Sequence, residues 1–234
     1  MKTLTFFIVF ILIGLLPMLL WSECDAARTA KIFSSTGYTV VDTGQIKCYN
    51  NSVEIVCPSS GHSFHGQDAQ YDGNQPTYVD NGDGTITDLK TGLMWQKTPD
   101  LVNKSTFDEA VAGAGTLNLA GYTDWRLPTI KELYSLIDFS GHTGMSESDS
   151  IPYIDTGYFD FIYGRTSLGE RFIDAQYWSS TEYVGAIFHG EIGVFGVNFA
   201  DGRIKGYPRD TGPTGPMEEF VRYVRGNHDY GINN

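Results

Sequence analysis

The chain has 234 residues, 41% of them hydrophobic, with 14 Tyr, 14 Phe and 27 Gly, which supplies the core of one sizeable domain or two small ones rich in tight turns. Its formal charge is −12, which argues against nucleic acid, anionic lipid or sulfated glycans as partners. Arg203, Lys205 and Arg209 are the exception, and they read more simply as part of a solvated loop than as a basic patch.

Residues 1–26 read as a secretory signal peptide: Lys2 precedes an almost wholly apolar run from Leu4 to Trp21, and small residues follow at Ala26 and Ala27. Gly14, Pro17 and the polar exit Ser22-Glu23 favour cleavage over a retained anchor, so the expectation is an exported protein with no stable membrane span. Loss of this leader removes Lys2, Glu23 and Asp25, which changes the charge from −12 to −11. The final compartment, periplasmic, secreted or cell-surface, stays open.

Two cysteines then remain, Cys48 and Cys57. In an oxidising compartment an isolated pair most simply forms a disulfide. A metal or thiol-catalytic role would need a nearby ligand set or base, and the intervening loop offers none. Residues 27–76 read as an irregular N-terminal extension, with short strands at Tyr38–Val41 and Val53–Val56. His62 and His65 with Asp68 lack a convincing third zinc ligand and read as surface residues.

Residues 77–226 form the main domain, followed by a tail at 227–234. The Asn81-Gly82 and Asp83-Gly84 pairs predict a hairpin, because these residues tolerate positive φ. Asp80, Asn81, Asp83 and Asp88 crowd hard oxygen ligands around this turn and are the candidate calcium ligands. Asx-type turn chemistry is the competing reading. No other cofactor is expected. Thr91-Gly92 makes a second turn before a strand at Leu93–Gln96.

Thr106 with Glu109 forms a capping box that opens the first helix, whose end Gly113 and Gly115 should weaken. Thr129 with Glu132 opens the second, expected from Thr129 to Asp138, with Leu133, Leu136 and Ile137 on its buried face. Trp125-Arg126-Leu127-Pro128 forces an extended entry to it. Trp95, Trp125, Arg126, Pro128, Glu132 and Trp178 are read as fold-defining, with Arg126 and Glu132 as an ion pair.

Residues 140–176 read as a long polar loop dotted with aromatics, and loops of this length are functional or mobile. Its Tyr153, Asp155, Tyr158, Asp160, Tyr163 and Arg165 are the candidate ligand-binding residues, by stacking and hydrogen bonding. Strands are expected at Tyr177–Glu182, Ala186–His189, Val194–Phe199 and Phe220–Arg225, punctuated by Gly190, Gly193, Asp201-Gly202 and Gly206. Gly212-Pro213-Thr214-Gly215-Pro216 holds too few triplets for a collagen helix and reads as a turn-rich loop. Ser179, Ser180, Glu182 and His189 invite a hydrolase reading, but no nucleophile elbow surrounds the serines.

The ordered set Asp80–Asp88, Thr91–Gln96, Trp125–Thr129 with Glu132-Leu133, Tyr177–Glu182 and Phe220–Gly226 resembles the Lcl C-terminal domain family. The resemblance implies an α+β, C-type-lectin-like fold with two helices packed on a mixed, hairpin-rich sheet. It is distantly similar to formylglycine-generating-enzyme-like domains, whose copper chemistry needs cysteines that the main domain here lacks. It also implies a non-catalytic surface module for ligand binding or adhesion, with a cell-surface glycan or protein as partner. A divergent hydrolase, a formylglycine-generating-enzyme-like enzyme and a structural spacer are the alternatives. Tyr223 stands where relatives often carry a cysteine.

Overall fold

The computed structural model describes residues 39–187, 190–211 and 215–226. The leader 1–26, Tyr38, His189, Pro213 and the 227–234 tail lie outside the described residues. Among the described residues no helix is long and apolar enough to cross a membrane.

In the extension, strands β1 (Cys48–Tyr49) and β2 (Glu54–Ile55) pair antiparallel, and a Cys48–Cys57 disulfide closes the hairpin. Of the expected strand at 38–41, Val41 forms a parallel bridge to Asn74, and the Val40 carbonyl accepts the Asn74 amide at 3.1 Å. The Asp42 carboxylate joins the same junction, accepting the N–H of Gly73 at 2.9 Å.

The main domain opens with strands β3 (Tyr78–Asp80) and β4 (Thr85–Asp88), paired antiparallel with Val79 opposite Thr87. Gly82 and Gly84 sit at φ 74° and 91°, where a Cβ would be strained. Asp80 accepts the Gly82 N–H at 2.9 Å, and Asp83 accepts the N–H and hydroxyl of Thr85 at 3.1 and 2.6 Å. Asp88 is buried and builds the next turn, accepting the N–H of Lys90 and the hydroxyl of Thr91 at 2.8 and 2.6 Å. That turn delivers β5 (Met94–Gln96), and β9 (Val224–Arg225) completes a sheet of order β3-β4-β5-β9.

Helix α1 spans Phe107–Thr116, with the Thr106–Glu109 capping box formed. Phe107, Ala110 and Ala114 give it one buried face. The two glycines do not end it early. Gly113 is where the ring of Tyr223 crosses: a Cβ there would collide with the Tyr223 Oη, and that hydroxyl donates to the Ala110 carbonyl at 2.9 Å. The glycine that looks like a weak helix end is a packing notch.

Helix α2 spans only Ile130–Tyr134, shorter than its periodicity suggests. Its capping box is formed, but the Ser135 hydroxyl donates back to the Glu132 carbonyl at 2.6 Å. Leu136 and Ile137 then follow by tighter bonds to residues three back, at 3.3 and 3.0 Å. Both remain buried, so the apolar face persists after the α geometry stops.

The C-terminal half carries strands β6 (Gln176–Ala186), β7 (Ile192–Asn198) and β8 (Arg203–Pro208) in the order β6-β7-β8. The two strands expected at 177–182 and from 186 are one long strand with irregular pairing on either side of Glu182. Arg203 and Lys205 lie in β8 rather than in a loop, and Gly193 and Gly206 lie inside strands.

The architecture is therefore α+β. Among the described residues every pairing between strands is antiparallel and falls into three separate sheets, where a single mixed sheet is expected; parallel pairing there is confined to isolated bridges. The main core gathers Ile86, Trp95, Leu133, Phe159, Tyr177 and Phe220, and a second cluster joins Phe107, Leu127, Trp178 and Val194.

Candidate functional site

Residues 219 and 220 thread between two segments. Glu219 exchanges backbone hydrogen bonds with Ser105 at 3.0 and 2.9 Å, and the Phe220 N–H donates to the Gln176 carbonyl at 2.9 Å. Successive residues of extended chain face opposite ways. Phe220 goes into the main core against Tyr177, ring centroids 5.5 Å apart. Glu219 turns to a cleft of about 430 Å³ on the other side.

The cleft is lined by Lys104 ahead of α1, by Glu170, Arg171 and Asp174 of the long loop, by Gln176 and Tyr207 of β6 and β8, and by residues 215–219. Most of its charges are paired. Lys104 meets Glu170 at 3.1 Å and donates to the Asp174 carbonyl at 2.7 Å, Arg165 grips Glu170 at 2.7 Å, and Arg171 grips Asp174 at 2.6 Å. Burial opposes the charge of Glu170, but hydrogen bonds from Arg165 and Lys104 hold its pKa down to about 2.

Two buried groups have no such partner. Glu219 is only 5% exposed, and its carboxylate makes no hydrogen bond or ion pair among the described residues. Burial pushes its pKa up to about 8; Lys104 pulls against that, while Asp174 and Glu170 add to it. Gln176 accepts the Tyr207 hydroxyl at 2.8 Å through Oε1, but its buried Nε2 has no acceptor. Buried polar groups are normally satisfied, and exceptions concentrate at functional positions. A smaller cavity of about 180 Å³ adjoins through Pro216, with Arg209 stacked 5.2 Å from the centroid of Phe107.

The six loop residues expected to bind ligand are spent differently. Tyr163 is buried and Tyr158 half-buried, both against the main core; Tyr158 packs on Tyr78 and Tyr163 on Phe161, at 5.5 and 5.1 Å. Tyr153 packs on Phe139 at 6.0 Å. Asp155 closes a turn onto the Gly157 N–H at 2.9 Å, Asp160 accepts the Thr98 hydroxyl, and Arg165 bonds Glu170 and the Val102 carbonyl at 2.7 Å. Only Arg165 reaches the cleft's charge network. The long loop is a packing element, held by the Tyr153 N–H donating to the Phe199 carbonyl at 2.7 Å.

Asp80, Asn81, Asp83 and Asp88 share the hairpin, but their side chains are engaged within it, and Asp80 also pairs with Lys97 at 2.6 Å. Among the described residues no three His, Cys, Asp or Glu side chains converge as a metal-binding group. His62 and His65 are exposed. Ser179 donates to the Phe195 carbonyl at 2.6 Å and Ser180 to that of Pro128 at 3.3 Å.

Trp95, Trp125 and Trp178 are buried, and Trp178 donates to the Ser105 carbonyl at 2.9 Å. Arg126 makes a two-pronged pair with fully buried Glu132 at 2.7 and 2.6 Å. Arg222 is a residue the sequence does not single out. It is fully buried, and its guanidinium donates to the carbonyls of Gln96, Lys97 and Asp160 at 2.7, 2.6 and 2.6 Å. The signal for Glu219 is slight: an acidic pair, Glu218-Glu219, runs straight into the apolar pair Phe220-Val221.

Fold and cleft together define an α+β domain with a polar, partly unsatisfied cavity beside its closing segment. The chain belongs to the Lcl C-terminal domain family, whose model matches residues 84–225, more than half of its length. No curated protein and no solved structure matches it significantly.

Proposed function

We propose that the chain is an exported, non-catalytic ligand-binding or adhesion module with a C-type-lectin-like fold, which recognises a cell-surface glycan or protein in the cleft beside Glu219. The observation that carries this reading is the cleft itself: Glu219, 5% exposed, lines it without an ion pair among the described residues, and the Gln176 amide nitrogen is buried there without an acceptor, at a cavity large enough for a ligand group. The apolar leader and the Cys48–Cys57 disulfide support export. The serine hydroxyls already committed to carbonyls support a binding role over hydrolysis.

The test is a screen of purified residues 27–234 against a broad glycan array and a panel of surface proteins, in calcium and again with chelator. Binding that Glu219→Gln abolishes, with the variant folded, supports the reading. Binding lost with chelator brings the Asp80–Asp88 hairpin back as a calcium site. Binding insensitive to Glu219→Gln places the ligand elsewhere, and no binding by folded protein turns the reading towards a structural spacer.

A further inference from the structure

We infer that the cleft receives a primary ammonium group on an aliphatic stem, the chemistry of a lysine side chain on a partner protein, with Glu219 as counter-charge and the Gln176 amide donating to a carbonyl beside it. This rests on the cleft being the binding site.

Three features point to that chemistry. The lining carries four carboxyl groups, Glu170, Asp174, Glu218 and Glu219, against two cations, Lys104 and Arg171. The cations are engaged with Glu170 and Asp174, so the acidic excess falls on Glu218 and Glu219. An anionic ligand would meet like charge, whereas a cation supplies what Glu219 lacks.

The walls suit a stem as well as a head. Tyr207, Pro216 and Met217 line the cleft, and Tyr207 and Met217 pack on the second apolar cluster. A lysine lays four methylenes along such a surface while its ammonium reaches a polar end. The cleft already holds one lysine in this manner. Lys104 has its side chain 6% exposed, its ammonium 5.0 Å from the centroid of Phe220 and hydrogen-bonded to a carboxylate and a carbonyl. Glu219 and Gln176 offer a second ammonium the carboxylate and leave a donor for the ligand's own carbonyl.

The charges facing Glu219 set a pH signature. Lys104 stands ahead of α1, Glu170 and Asp174 on the loop, Lys205 and Tyr207 on β8, and Glu218 adjoins. With Glu219 held up to about 8, an incoming ammonium must displace its proton below that pH. Affinity therefore rises from pH 6 to pH 8 and levels off until lysine itself loses its charge near about pH 10.

The experiment titrates the full-length protein with Nα-acetyl-lysine methylamide and with its neutral counterpart built on norleucine, at pH 6 and 8, following NMR shifts of the cleft residues. The lysine probe is expected to bind at least about tenfold tighter at pH 8 than at pH 6, and the norleucine probe not to bind. Glu219→Gln should cost the lysine probe at least about tenfold at pH 8, with its fold verified by near-ultraviolet circular dichroism. Glu218→Gln, at an exposed neighbour, should cost no more than about threefold. Equal binding of the norleucine probe, or equal binding by Glu219→Gln, overturns the inference. If the lysine probe fails while a glycan or protein from the screen shifts the cleft resonances, the ammonium assignment falls and the binding site stands. If nothing shifts them, both fall.

Discussion

Glu132 and Glu219 are two carboxylates of similar depth, 0% and 5% exposed, yet one is gripped by donors and the other has no ion pair among the described residues. Glu132 takes both prongs of Arg126 and the N–H of Thr129 at 2.7 Å, so it fixes the entry to α2. Glu219 has its backbone tied on both sides and its carboxylate left bare in a cavity. A buried charge that is fully coordinated organises a fold. One that is not either keeps a proton or waits for a counter-charge.

The sharpest way to break the contrast is to make Glu132 resemble Glu219. Arg126→Met should strip both prongs and lower stability by roughly 3–5 kcal/mol, the cost of orphaning a buried carboxylate, read from urea unfolding. Loss below about 1 kcal/mol would show that the pair does not hold the α2 entry.

Glu219 gives the next largest effect, through pH. Its folded pKa is raised to about 8, so its contribution is fully present below the unfolded value near pH 4.5. That contribution is lost as pH rises through 8, and the part lost between pH 5 and 8 is on the order of 3.5 kcal/mol. Glu170 runs the opposite way: with its folded pKa near 2, its contribution is present above pH 4.5 and lost as pH falls towards 2. Glu219→Gln should therefore flatten the decline between pH 5 and 8 and leave the acid limb unchanged. An unaltered alkaline limb in a two-state unfolding series would refute this.

The smallest effect sharpens the role of the cap. Thr129→Ala removes the hydroxyl that accepts the Glu132 N–H at 3.2 Å and should cost about 1 kcal/mol. A cost near that of Arg126→Met would mean that the cap and the ion pair act as a single unit, which a double-mutant cycle would measure.

What the sequence makes legible follows the reach of each interaction. Both capping boxes and the glycine turns of the first hairpin are local, a few residues wide, and they appear where the spacing puts them. The Arg126–Glu132 pair spans six positions and is equally readable. The division into three sheets depends on partners many residues away, such as β9 beside β5. So does the notch at Gly113, since its occupant is Tyr223, more than a hundred positions later. The same holds for the candidate site. Aromatics and acids in the long loop look like a binding surface, yet the tyrosines pack on other rings and Asp155 and Asp160 are engaged by a turn N–H and a threonine hydroxyl. The cleft is assembled from Lys104, Glu170, Gln176, Tyr207 and Glu219, which no local pattern links.

The segment from Glu219 to Arg225 reaches back across the whole domain. It bridges Ser105, Gln176 and Arg126, adds β9 to β5, and sends Arg222 to three carbonyls from two distant stretches. These seven residues follow the elements they join, so the earlier sheets and helices wait for their clasp. Closure of such remote contacts is slow. A domain fastened this way should lose its tertiary packing as one unit when that single segment is pulled away.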